Sequence, residues 1–283
     1  MPIYEITNGG FTAQIDSLGA QLVSLRDKAG REYLWQGDPA YWEGRAPVLF
    51  PIVGALREGR AKINGEWFGM KQHGFARHKG FGEAHIGEGQ VSLTLRDDEE
   101  TRQMYPFGFA LTVTYTLAKG CLRTAFLVEN TGGEPLPYAI GGHPGFNLPL
   151  EEGAVFEDYV LQFDQEEAQQ CPSVLLDVGL LDYQTPGFRL EGQREIPLRH
   201  SLFYQDALVF SGLLSHRVRV LNKATGKGVE MDFSGFPMLG VWSARNDGPY
   251  VCLEPWTGCA TLTTEGDNFT EKRGMALLKP GAS

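Results

Sequence analysis

No apolar stretch of this 283-residue sequence approaches the roughly 18 residues of a helical membrane span, so a membrane-embedded role is not expected. The opening run Met1 to Asn8 has no basic segment followed by an apolar one, so no secretory leader is expected and the location defaults to cytoplasmic. Cysteine is scarce. Cys121, Cys171, Cys252 and Cys259 form no CxxC pair and no metal-ligand spacing, so neither a disulfide framework nor a metal site is expected. Cys121, Cys171 and Cys252 sit in apolar or strand-like settings, where a free thiol is expected to be a buried small hydrophobe. Positive charge is also short, with 25 Lys and Arg against 35 Asp and Glu. The formal net charge of −10 argues against nucleic acid or an anionic membrane as partner. Ser- or Pro-rich linkers, fixed-period repeats and long helical apolar patterns are missing too, which leaves one domain over residues 1–283.

A period of two is present instead. Phe11 to Asp16, Val91 to Arg96 and Leu111 to Leu117 alternate apolar with polar residues, as half-buried strands do. Asn64-Gly65 and Lys119-Gly120 punctuate such runs as hairpin turns, and Ala224 to Gly228 separates Arg217–Leu221 from Val229–Phe233 in the same way. Only Asp98 to Met104 reads as a helix, capped by Asp98 and halted by Pro106. With 36 Gly and 16 Pro, the expected fold is all-β, a large antiparallel β-sandwich whose strands alternate because each sheet buries one face. The segments Pro144 to Gly153 and Gln162 to Gln170 are expected to be loops.

Chemistry concentrates at a few positions. In Tyr250-Val251-Cys252-Leu253-Glu254-Pro255-Trp256, Val251 and Leu253 share one strand face while Tyr250, Cys252 and Glu254 share the other. Pro255 lacks the N–H a ladder needs and is expected to end the strand, leaving Glu254 among apolar neighbours that raise its pKa. Gln72-His73-Gly74-Phe75-Ala76-Arg77 places a histidine and an arginine in a loop. Gly141-Gly142-His143-Pro144-Gly145-Phe146-Asn147 biases His143 to an extended conformation. Asp206 opens the apolar run Ala207 to Phe210. His78, His85, His200 and His216 have no distinctive setting. Arg45, Arg57, Arg60, Lys62, Lys71, Arg77 and Lys79 face only Glu58 and Glu66, a local positive run that suits either an anionic ligand or plain solvent.

The runs His73 to Arg77, Gly141 to Asn147, Asp206 to Phe210 and Leu253 to Trp256, in this order, resemble the aldose 1-epimerase (mutarotase) family, in particular its LacX-type branch. The resemblance extends to Tyr33 to Asp38 and Trp42 to Gly54 and so covers nearly the whole chain. It implies a galactose-mutarotase-like sandwich with a sugar groove on one sheet. It further implies Glu254 as general base, His143 as general acid, and His73 and Asp206 as ligands of sugar hydroxyls. Trp242, Phe146 or Trp256 would line the pocket. No metal and no cofactor is implied, and the partner is an aldohexose, free or phosphorylated, taken by a monomer or homodimer. Many members of the family carry a basic residue where Ala55 stands, and Arg57, two residues on, is the candidate replacement. Arg77, Arg45 or Arg57 would clamp the phosphate of a hexose 6-phosphate. A glycosidase using Glu254 and Asp206, with carboxyls roughly 5–9.5 Å apart, and a non-catalytic sugar-binding protein are the other readings.

Overall fold

A computed structural model describes residues 1–283. The alternating runs become strands in it: there are 21, against one α-helix, Glu99–Met104, and a few 3-10 turns. Asp98 caps that helix by accepting from the Thr101 N–H, as its side chain predicts. Every hairpin turn read from the sequence joins two antiparallel strands: Arg60–Ile63 with Glu66–Gly69, Phe109–Ala118 with Cys121–Asn130, and Arg217–Asn222 with Gly228–Asp232.

The sheet that matters for function runs in the order Leu208–Ser211, Met238–Trp242, Tyr250–Trp256, Gly141–Gly142, Val48–Leu49, all antiparallel, with Gly145–Asn147 also paired to Tyr250–Trp256. Its two faces differ. Val251, Leu253, Leu239, Val241, Leu208 and Phe210 pack onto Leu161, Phe163, Val218 and Val220 of a second sheet, formed by Leu180–Pro197, Tyr159–Leu175, Arg217–Asn222 and Gly228–Asp232. These pairings hold the register, because a one-residue slip would turn Val251 and Leu253 outward and Glu254 into the core.

A second, larger core lies between the four-stranded sheet Gly82–Gly87, Gln90–Arg96, Phe109–Ala118, Cys121–Asn130 and the three-stranded sheet Ile3–Asn8, Phe11–Asp16, Gln21–Asp27. Ala46, Val48, Phe50, Ile52 and Leu56 enter this core, as do Phe75 and Ala76, just beyond His73. The loop bearing His73 is thus anchored in one core and the strand bearing Glu254 in the other.

Four expectations change. Pro255 does not end its strand, which continues through Trp256. The Leu253 N–H donates to the Pro144 carbonyl and that of Thr257 to the Ile140 carbonyl, so the Pro255 nitrogen points to the same side, where the neighbouring strand is interrupted between Gly142 and Gly145. No N–H is required there. Gln162 to Gln170 is strand, part of the long hairpin Tyr159–Leu175 with Leu180–Pro197, whose bulges leave most of its polar side chains in solvent. Glu167 is the exception: it is buried and accepts the N–H groups of Leu214 and Ser215. Within Pro144 to Gly153, Gly145–Asn147 is strand. Cys121 is exposed beside its hairpin turn, whereas Cys171, Cys252 and Cys259 are buried.

Candidate active site

Glu254 sits in mid-strand on the face opposite the Val251–Leu253 core, 1% exposed. Its cross-strand neighbour is Gly240. A Cβ at Gly240 would come within 2.4 Å of the Trp256 ring, so glycine lets that ring lie across the sheet beside the carboxylate. Burial pushes the Glu254 carboxyl well above the ordinary carboxylate range, and the negative Asp206 nearby adds to the shift.

His143 leaves the sheet at the break between Gly142 and Gly145 and faces Glu254, its Nε2 3.2 Å from Oε2. Trp42 stacks on its ring at 4.8 Å and Trp242 meets it edge-on at 5.6 Å. With Trp35 and Tyr250 these indoles form an apolar cluster around the pair. Burial pulls the His143 pKa down to about 3, and the Arg77 charge pulls the same way. A raised carboxyl and a lowered imidazole in contact hold one proton between them over a wide pH range. Oε2 of Glu254 and Nδ1 of His143 are buried without a hydrogen-bond partner.

His73 approaches the other edge of His143, ring centres 5.7 Å apart. Its backbone is left-handed (φ 65°), a conformation histidine tolerates better than most residues, and two bonds to Gly54 hold it. His73 N–H donates to the Gly54 carbonyl at 2.9 Å, and the Gly54 N–H donates to His73 Nδ1 at 3.1 Å. Gly54 is itself left-handed, and a Cβ there would meet Ala260 at 2.5 Å. Because Nδ1 accepts, the ring proton is on Nε2. Burial, with the neighbouring His143 ring and the Arg77 charge, holds the His73 pKa well below its usual value, so His73 is a neutral donor.

Asp206, two residues before the strand Leu208–Ser211, adopts φ 77° and its carboxylate accepts the Ala207 N–H at 2.7 Å. It lines a cavity of about 380 Å³ with Tyr41, Leu176, Trp242, Ala244, Arg245 and Asn246. Arg77 is half-buried, with its Nε on His78 and one amino group on the Gln72 carbonyl. Arg57 is engaged elsewhere: its guanidinium donates to Asp267 and to the carbonyls of Leu262, Thr263 and Glu265. The expected substitution of Arg57 for the side chain missing at Ala55 is therefore not made. Arg45 likewise donates to the Val23 carbonyl. Of the three expected aromatic walls only Trp242 lines the cavity. Phe146 packs into the Val251–Leu253 core, and Trp256 is buried with Val209 and Met238.

The aldose 1-epimerase family profile matches residues 2–283. The chain belongs to the aldose 1-epimerase family. Protein LacX of Lactococcus lactis subsp. lactis is 40% identical over 282 residues, covering 98% of this chain and 94% of that protein. Among solved structures, a galactose mutarotase related enzyme from Lactobacillus acidophilus superposes with a TM-score of 0.93 at 32% identity, covering 99% of this chain and 93% of that one. A galactose mutarotase-like protein from Lactobacillus casei gives 0.90 at 28%, covering 99% and 96%.

For a member of the aldose 1-epimerase family, the residues that sequence reasoning passed over are instructive. Trp42 stacks on His143 from a loop with no periodicity, and Tyr41, Leu176, Arg245 and Asn246 come to the cavity from three separate segments. No local pattern marks any of them, since each is brought in by tertiary contacts such as the Asn246 amide donating to the Ala40 carbonyl. The chain has no helix long and apolar enough to cross a membrane.

Proposed function

We propose that this protein interconverts the α and β anomers of an aldohexose, as one cytoplasmic domain of residues 1–283. The observation that carries the reading is the buried His143–Glu254 contact of 3.2 Å, flanked by His73 and Asp206 and walled by Trp42 and Trp242. Anomer exchange needs a proton taken from the C1 hydroxyl and another given to the ring oxygen. Glu254 takes the first, and His143 delivers the second as the C1–O5 bond breaks. The aldehyde turns about C1–C2, and the reverse transfers close the ring on its other face. Hydroxyl donation from the sugar favours the carboxylate form of Glu254 and so moves the pair's proton toward His143. Each positioned group contributes roughly 10²–10⁴-fold. His73, a neutral Nε2–H donor, and Asp206, an acceptor, hold hydroxyls, while the indoles cover the sugar's C–H surface.

The glycosidase reading is weaker, because the group in direct contact with Glu254 is an imidazole and not a second carboxyl. The phosphorylated-hexose reading is weaker too, since Arg45, Arg57 and Arg77 each donate to a backbone carbonyl, and of the three only the Arg77 charge acts on both His73 and His143. Equilibrium exchange NMR tests the activity and the choice of sugar, with catalytic protein added separately to glucose, galactose and their 6-phosphates. Faster exchange of a neutral hexose is expected. Exchange confined to the 6-phosphates would move the assignment to a phosphosugar mutarotase. Sugar-dependent line broadening without exchange would make the protein a binder only.

A further inference from the structure

Cys252 shares the site face of its strand with Glu254 and is fully buried, yet the reaction gives it no task. One donor atom each from His143, Cys252 and Glu254 lie within 4.8 Å of one another. A second observation points the same way: Glu254 Oε2, on a side chain 1% exposed, has no hydrogen-bond partner although His143 Nε2 lies 3.2 Å away. A thiol, an imidazole and a carboxylate form the mixed donor set that suits borderline-soft divalent ions. Metal–sulfur bonds of about 2.3 Å and metal–nitrogen or –oxygen bonds of about 2.0–2.2 Å place neighbouring donors of a tetrahedral ion roughly 3.2–3.6 Å apart. The nitrogen–oxygen spacing already meets that requirement. The sulfur lies within 4.8 Å of both other donors, and coordination requires it to approach further by a strained χ1 rotation. No other cysteine of the chain belongs to such a cluster.

We propose that His143, Cys252 and Glu254 form a binding site for a divalent cation of the zinc class, and that the ion switches the catalytic pair off. The thiol proton and the single proton of the Glu254–His143 pair leave to solvent as the metal–sulfur, metal–oxygen and metal–nitrogen bonds form. The lone pairs of Glu254 and His143 are then occupied, so the ion and the sugar compete. The inhibitory half rests on the mutarotase reading, whereas the binding half does not.

The test is a Co²⁺ titration of phosphine-reduced, chelator-free protein in a Cys121→Ser background, which removes the exposed thiol. It follows the thiolate-to-cobalt charge-transfer absorption, with Zn²⁺ inhibition of anomer exchange measured alongside. A single equivalent of cobalt should produce the band, and Zn²⁺ should inhibit reversibly, with EDTA restoring activity. Cys252→Ala should abolish the band while exchange without metal continues. It should also weaken Zn²⁺ inhibition by at least the roughly 10–100-fold typical of losing even an outer-shell partner. Cys252→Ser keeps the volume should the alanine variant fail to fold, and it should lose the band equally. A band that survives both substitutions, or none in the Cys121→Ser parent, overturns the site. A Cys252-dependent band in a protein that exchanges no sugar supports the metal site and removes the mutarotase reading instead.

Discussion

Glu254 is an expensive residue to bury, and the expense shows in two measurable quantities. Glu254→Gln keeps the shape and removes the base, so anomer exchange should fall by roughly 10²–10⁴-fold, read by polarimetry. The same substitution should raise the melting temperature, and by an amount that grows with pH. An unfolded Glu releases its proton near 4.5, while the folded Glu254 holds it to a well higher pH. Between those two values the unfolded state binds fewer protons, so wild-type stability falls as pH rises. Glutamine does not titrate. The melting-temperature difference between variant and wild type should therefore be larger at pH 8 than at pH 5, and an equal difference at both would mean that Glu254 is not desolvated. His143 works in the opposite sense, since its pKa is lowered to about 3. The acid limb of the wild-type rate profile should therefore fall below the ordinary imidazole value near 6.5, after the uncatalysed rate is subtracted. An acid limb at or above 6.5 would place the controlling histidine in water.

The strand Tyr250–Trp256 sorts its residues by period two: Val251 and Leu253 go to the core, and Cys252 and Glu254 go to the site. That division was legible in the sequence, because alternation is a local property of extended backbone. The continuation through Pro255 was not, since it depends on a gap in the neighbouring strand some 110 residues away in the chain. Gln162 to Gln170 misled for a related reason: its polarity suggested a loop, whereas a long hairpin standing in solvent needs polar residues on its surface. Gly240 is the element's weak point. Gly240→Ala drives a methyl toward the Trp256 ring, where a Cβ lies at 2.4 Å, and overpacking of this kind costs about 1–3 kcal/mol. Because Gly240 pairs with Glu254, the variant should lose activity beyond its loss of stability. Reduced kcat in protein that remains folded at the assay temperature checks this, and full kcat would show that the ring yields without moving the carboxylate.

At the scale of the molecule, the candidate site lies where two cores approach. The His73 loop is tied to the larger core through Phe75, and Glu254 is tied to the smaller one through Leu253. This explains which site residues could be read from sequence. His73, His143, Asp206 and Glu254 carry distinctive chemistry in short motifs. Trp42 and Leu176 are ordinary apolar residues whose relevance exists only once distant segments meet, and Arg57 looked available until its four backbone and carboxylate partners were in view. A site spanning two cores keeps its geometry only if the cores melt together, so the proposed single domain has a thermal signature. Phe109→Ala empties the larger core and Leu253→Ala the smaller, at about 3–5 and 2–5 kcal/mol respectively. For a chain of this size each kcal/mol lowers the midpoint by roughly 2–4 °C. Scanning calorimetry should show one transition in the wild type, and each substitution should lower that same transition by roughly 4–20 °C. A transition that splits, with one half unmoved by Phe109→Ala and the other by Leu253→Ala, would mean two domains. The His143–Glu254 pair would then be secured by the smaller core alone.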